Sequence, residues 1–175
     1  PTGLTANITA APLTITATSQ SKTYGTALTL GTTAFTSSGL IGSETIGGVT
    51  LTSSGAAATA TVAGSPYTIT PSAATGGTFT AGNYSITYVN GTLTVNAKAL
   101  TITGASANNK VYNGTTAATI SGTLSGVESG DVVTFNGAGT FSDAAVGTNK
   151  SVTSTSTLSG AAAGNYTLTQ PTGLT

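Results

Sequence analysis

The chain has 175 residues, and its four lysines balance four carboxylates, so net charge is zero and only 5% of residues are charged. An average globular domain carries roughly 25%, and this near-absence of charge offers no footing for nucleic acid or an anionic membrane surface. Cys, His, Met, Trp and Arg are all absent, which excludes a disulfide framework and histidine- or cysteine-based catalysis.

In chain order, the first feature is Pro1-Thr-Gly-Leu-Thr5, which returns as Pro171-Thr-Gly-Leu-Thr175. A tandem array with a period of 170 residues produces such a pair. Residues 1–9 are expected to be the last strand of a preceding module, with Leu4 and Ile8 as inter-repeat contacts. Leu13-Thr-Ile-Thr16 then alternates apolar and hydroxyl side chains, which sends Leu13 and Ile15 to one face of a strand. Tyr24, in Lys22-Thr-Tyr-Gly25, is placed in the core. Tyr67–Thr70 and Tyr84–Val89 alternate in the same way, with Tyr84 and Ile86 as core positions. Asn90-Gly91 separates that run from Leu93-Thr-Val95 and predicts a hairpin.

The second half repeats this grammar. Leu100-Thr-Ile-Thr103 lies 87 residues after its twin, and Lys110-Val-Tyr112 lies 88 residues after Lys22-Thr-Tyr24. Ala163-Gly-Asn-Tyr166-Thr-Leu-Thr169 follows Ala81-Gly-Asn-Tyr84-Ser-Ile-Thr87 by 82 residues. Leu100, Ile102, Tyr112, Tyr166 and Leu168 are therefore the core positions of a second module. Order is kept and offsets drift only by loop-sized amounts, so the period holds two modules of about 85 residues. The division is 1–9, 10–96 and 97–175, the third segment stopping where its own final strand begins. No apolar run nears the ~20 residues of a membrane span. Alanine clusters are too short for helices, and regular alternation argues against disorder. The fold class is mostly β: two tandem small modules, β-sandwich or β-grasp-like, with little or no helix, within a longer array. A β-solenoid is the alternative, but no rung period of ~20 to 30 residues is present.

Lys22-Thr-Tyr-Gly25 together with Asn83-Tyr-Ser-Ile-Thr-Tyr-Val-Asn-Gly-Thr-Leu-Thr-Val95 resembles the MBG repeat of YGX type. Lys110-Val-Tyr-Asn-Gly-Thr-Thr116 with Ala163-Gly-Asn-Tyr-Thr-Leu-Thr-Gln-Pro171 resembles the YDG repeat, with Asn113 where that name has Asp. The resemblance implies repetitive β modules of very large bacterial surface adhesins or secreted filamentous proteins. It also implies an extracellular or cell-surface location and no catalytic activity.

No residue is assigned a catalytic, cofactor-binding or metal role. Glu44 and Asp131 occupy matching places and read as turn acceptors rather than an acid–base pair. Calcium needs six to eight oxygen ligands, and only Glu128 and Asp131 are neighbours in sequence. An isopeptide cross-link at Lys22 or Lys110 needs a buried Lys–Asn pair beside a carboxyl group. The Thr-x-Thr pairs raise an ice-binding array, but their spacing is irregular, and outward threonines on half-buried strands explain them. The expected function is a mechanical spacer or filament link, partnered by adjoining copies of the same repeat. The alternative is a module that itself binds a glycan or host surface, for which an exposed aromatic patch would be the mark.

Overall fold

The computed structural model describes residues 3–175; Pro1 and Thr2, and with them the start of the strand expected over 1–9, lie outside the described residues. The chain divides into two compact units, residues 1–96 and 97–175. Fourteen strands and three 3-10 turns of three residues each make up the regular structure among the described residues. The fold is mostly β.

In the first unit β1 (Ala11–Ala17), β3 (Phe35–Ser38) and β6 (Tyr84–Val89) form a sheet in the order β3-β1-β6. β2 (Gln20–Thr23), β4 (Ile46–Thr52), β5 (Tyr67–Gly77) and β7 (Gly91–Asn96) form a second, ordered β2-β7-β5-β4. Alternation makes the core: Leu13, Ile15 and Ala17 point inward from β1 and meet Val49, Leu51, Ile69 and Leu93 from the other sheet. No helix crosses either sheet among the described residues, so the sandwich form of the expectation is the one observed.

The hairpin expected at Asn90-Gly91 is not formed. β6 pairs in parallel with β1, whereas β7 pairs with β2 and β5, so Asn90 carries the chain from one sheet to the other. A type I′ turn needs positive φ at both central residues, and neither Asn90 nor Gly91 has it. Gly91 serves close approach instead: a Cβ there would lie 2.6 Å from the Ala17 carbonyl oxygen.

The second unit contains β8 (Lys98–Ala107), β9 (Ala117–Ser125), β10 (Thr134–Asn136), β11 (Ala138–Phe141), β12 (Val152–Ser154), β13 (Thr157–Ser159) and β14 (Tyr166–Leu168). Five of them run β12-β11-β9-β8-β14, and β10 pairs with β13. β8 has the relations of β1, antiparallel to β9 and parallel to β14. Leu100 is fully buried, and Ala118, Ile120, Val152 and Leu174 form a small core.

Several expected core positions need correction. Ile86, Ile102 and Leu168 are half-buried. Ile86 lies on the edge strand β6, and Leu168 ends the edge strand β14. Ile102 lies beyond the last β14 pair at Leu100 and packs over Gly122, whose added Cβ would lie 2.3 Å from the Ile102 methyl. Leu4 and Ile8, expected as contacts to an adjoining copy and not to this chain's own core, are fully exposed, and residues 3–10 form no strand and have no strand partner among the described residues. Tyr112 is 65% exposed, in contrast to buried Tyr24. Its loop, unlike β2, pairs with no strand among the described residues.

Candidate functional site

The eight charged side chains are the natural place to look for chemistry, and each has an intramolecular partner. Lys98 pairs with Glu128 and Lys150 with Asp143. The Asp143 carboxyl is held below its usual pKa chiefly by the Lys150 hydrogen bond, with help from the Ala145 N–H. Such exposed pairs are worth little in stability. Buried Lys22 donates to the carbonyls of Thr26 at 3.0 Å and Ala57 at 2.7 Å, and burial lowers its pKa. Lys110 donates to the carbonyls of Thr115 at 2.6 Å and Ala117 at 3.0 Å and sits 5.7 Å from the Phe141 ring centre. Both lysines in the matching Lys-x-Tyr strings thus tie down backbone carbonyls.

The remaining two carboxylates form the same device in each unit. The Tyr84 hydroxyl donates to Glu44 and accepts from the Ile41 N–H at 3.0 Å. The Tyr166 hydroxyl donates to Asp131 and accepts from the Glu128 N–H at 2.9 Å. In both cases the acid closes a tight turn, with Glu44 N–H on the Ile41 carbonyl and Asp131 N–H on that of Glu128. Each tyrosine follows a 3-10 turn of Ala-Gly-Asn, so the repeated Ala-Gly-Asn-Tyr string positions a buried ring to clamp a remote turn. The sequence singled out all four residues but not their pairing, because 40 and 35 residues separate the partners. Matching positions in two repeats were the available signal.

The clamp has a pH signature. Hydrogen bonding to Glu44, followed by burial and its charge, raises the Tyr84 pKa. Between the unfolded value of about 10 and that raised value, the native state holds a proton the unfolded state has lost, so stability falls as pH rises. Lys22, whose pKa burial lowers, contributes the opposite slope equally with and without the clamp. The clamp is therefore read as the midpoint difference between wild type and Tyr84→Phe, which should hold below pH about 10 and shrink above it. The Tyr84→Phe midpoint starts lower because the Ile41 N–H and Glu44 have lost their partner.

Sequence reading missed a polar knot in the second unit. Ser156 is buried, donates to the Ala138 carbonyl and accepts from the Ala138 N–H, both at 3.1 Å. The Gln170 side chain bridges the Ser156 N–H and carbonyl at 3.1 and 2.8 Å. No local pattern marks these two residues. Among the described residues no group of three or more His, Cys, Asp or Glu is placed to hold a metal ion. A cleft of about 400 Å³ lies beside Lys110, Tyr112 and Phe141 in this unit.

The repeated device falls inside two matched families. The model of the MBG domain (YGX type) matches residues 13–94, and that of the YDG domain matches residues 96–173. The chain is a tandem of an MBG domain and a YDG domain. Both are repeat modules of large proteins, structural in kind. No curated protein and no solved structure matches the chain. The tyrosine clamp is therefore shared by an MBG domain and the YDG domain that follows it, with Glu in one and Asp in the other.

Proposed function

We propose that this MBG–YDG pair is a mechanical link of an extracellular bacterial stalk or fibre, a spacer in an adhesin or filament. The observation that carries the reading is directness of connection between two domains with separate cores. β7 of the MBG domain ends at Asn96, β8 of the YDG domain begins at Lys98, and Ala97 alone separates them. A one-residue connection without glycine leaves little backbone freedom compared with a Gly/Ser linker. Charges engaged by internal partners suit a module whose task is to hold itself together.

The glycan-binding alternative wants a platform of exposed rings. Among the exposed large apolar residues Tyr112 is the one aromatic, and its exposure follows from an uncovered strand position. Small-angle scattering on proteins of one, two and four copies tests the spacer. A maximum dimension that grows in proportion to copy number is expected. Compact particles whose size grows only as the cube root of mass would count against it.

A further inference from the structure

In the MBG domain β7 is the strand on which the second sheet depends. It runs parallel to β2, with Lys22 opposite Val95 and Thr23 opposite Asn96, and antiparallel to β5, with Tyr67 opposite Leu93. Gly91, Leu93 and Val95 are buried while Thr92, Thr94 and Asn96 are exposed. Lys22 and Tyr24 are buried alongside, and the Tyr24 N–H donates to the Asn96 carbonyl at 2.9 Å.

The YDG domain keeps the surroundings of that strand and only one residue pair of the strand itself. The Val152 N–H donates to the Leu174 carbonyl at 2.9 Å, an isolated antiparallel bridge that corresponds to the β5–β7 pairing. Residues 108–112, the counterpart of β2 and Tyr24, form no strand, and Val111 and Tyr112 are exposed. Between these two sides lies the cleft of about 400 Å³, lined by Ala107, Lys110, Tyr112, Phe141, Lys150 and Thr175.

We propose that this cleft is an acceptor site for one extended strand, and that its occupant is Ala6-Asn-Ile-Thr9 of a second copy of the chain, continuing the strand begun by Leu174 and Thr175. Three observations select this occupant. Gly173-Leu-Thr175 recurs as Gly3-Leu-Thr5, and Ala6–Thr9 is what the sequence places after that tripeptide. Leu174 is 5% exposed in its core, whereas Leu4 and Ile8 stand fully exposed on a stretch without strand pairing. Leu4, Ala6 and Ile8 alternate with Thr5, Asn7 and Thr9, the same inward–outward pattern as Gly91–Asn96. The segment is uncharged, and the charged groups of the cleft are already engaged within the domain, the Lys110 amine by carbonyls and Lys150 by Asp143. An added strand satisfies edge N–H and C=O groups and buries alternate side chains, the β-augmentation mode of recognition. By the MBG register, Ile8 lies beside Lys110, and the Tyr112 N–H donates to the Thr9 carbonyl.

The proposal deepens the spacer reading, because it names the joint between copies, but it is tested on a single copy without any array. Hydrogen exchange is measured on the 175-residue chain and on the same chain lengthened after Thr175 by Ala-Asn-Ile-Thr-Ala-Ala, the sequence of residues 6–11. Lengthening should slow exchange at Lys110, Val111 and Tyr112 on the order of tenfold or more and shield Tyr112 from a solvent quencher. A third chain, lengthened with Asp in place of that Ile, should show no gain. Unchanged exchange on lengthening overturns the proposal, as does protection that persists with the Asp. Slow exchange at 110–112 in the 175-residue chain itself also overturns it, since the cleft would then be already filled. Scattering from multi-copy proteins tests the spacer separately.

Discussion

Leu174→Ala is expected to destabilise the YDG domain by about 2–5 kcal/mol, the range for truncating a buried leucine. Leu4→Ala, the same change in the same Gly-Leu-Thr string, is expected to stay within about 0.5 kcal/mol. Leu174 packs with Ala118, Ile120 and Val152, and Phe135 and Phe141 close around that cluster. Alanine keeps the main-chain bond from Val152 but empties the side-chain site, and a core this small has few atoms to collapse inward. Leu4 touches no core in its own chain, being fully exposed. Urea unfolding of both variants measures the contrast. Equal effects would mean that identical sequence meets identical surroundings at the two ends, contrary to the structure.

The alternating runs were legible in the sequence because a strand's side-chain period is set locally. Leu13 with Ile15, and Leu93 with Val95, need no knowledge of partners to be assigned a shared face. The repeat offsets made the two domains legible as well, since the same strings recur in the same order. Partner choice is a longer-range matter. Asn90-Gly91 carries a local hairpin signal, yet the parallel pairing of β6 with β1 across some 70 residues wins and sends the chain to the other sheet. Burial at Ile86 and Ile102 depends on where a neighbouring strand stops, which alternation does not encode. Tyr112 shows the limit most clearly: its string matches that of Tyr24, but a strand covers one and not the other. The clamps followed the same rule, with Tyr84, Tyr166, Glu44 and Asp131 each visible and their pairing hidden by loop length.

The second large effect concerns Ile15, fully buried at the centre of β1 between β3 and β6. Its truncation to alanine removes three heavy atoms from a site with sheet on both sides and a second sheet above, where little can relax. About 2–5 kcal/mol is expected, lowering the MBG midpoint on the order of 10 °C or more for a domain of this size. The YDG domain has its own core, of Ala118, Ile120, Val152 and Leu174, and no reason to follow. The proposed spacer role calls for domains that each fold on their own packing, with nearest-neighbour terms added to it. Scanning calorimetry of the wild type and Ile15→Ala is the direct measurement. The account predicts that one transition moves down while the other keeps its midpoint and enthalpy. A single transition that shifts as a whole would contradict it, because the two domains would then be one cooperative unit rather than two links.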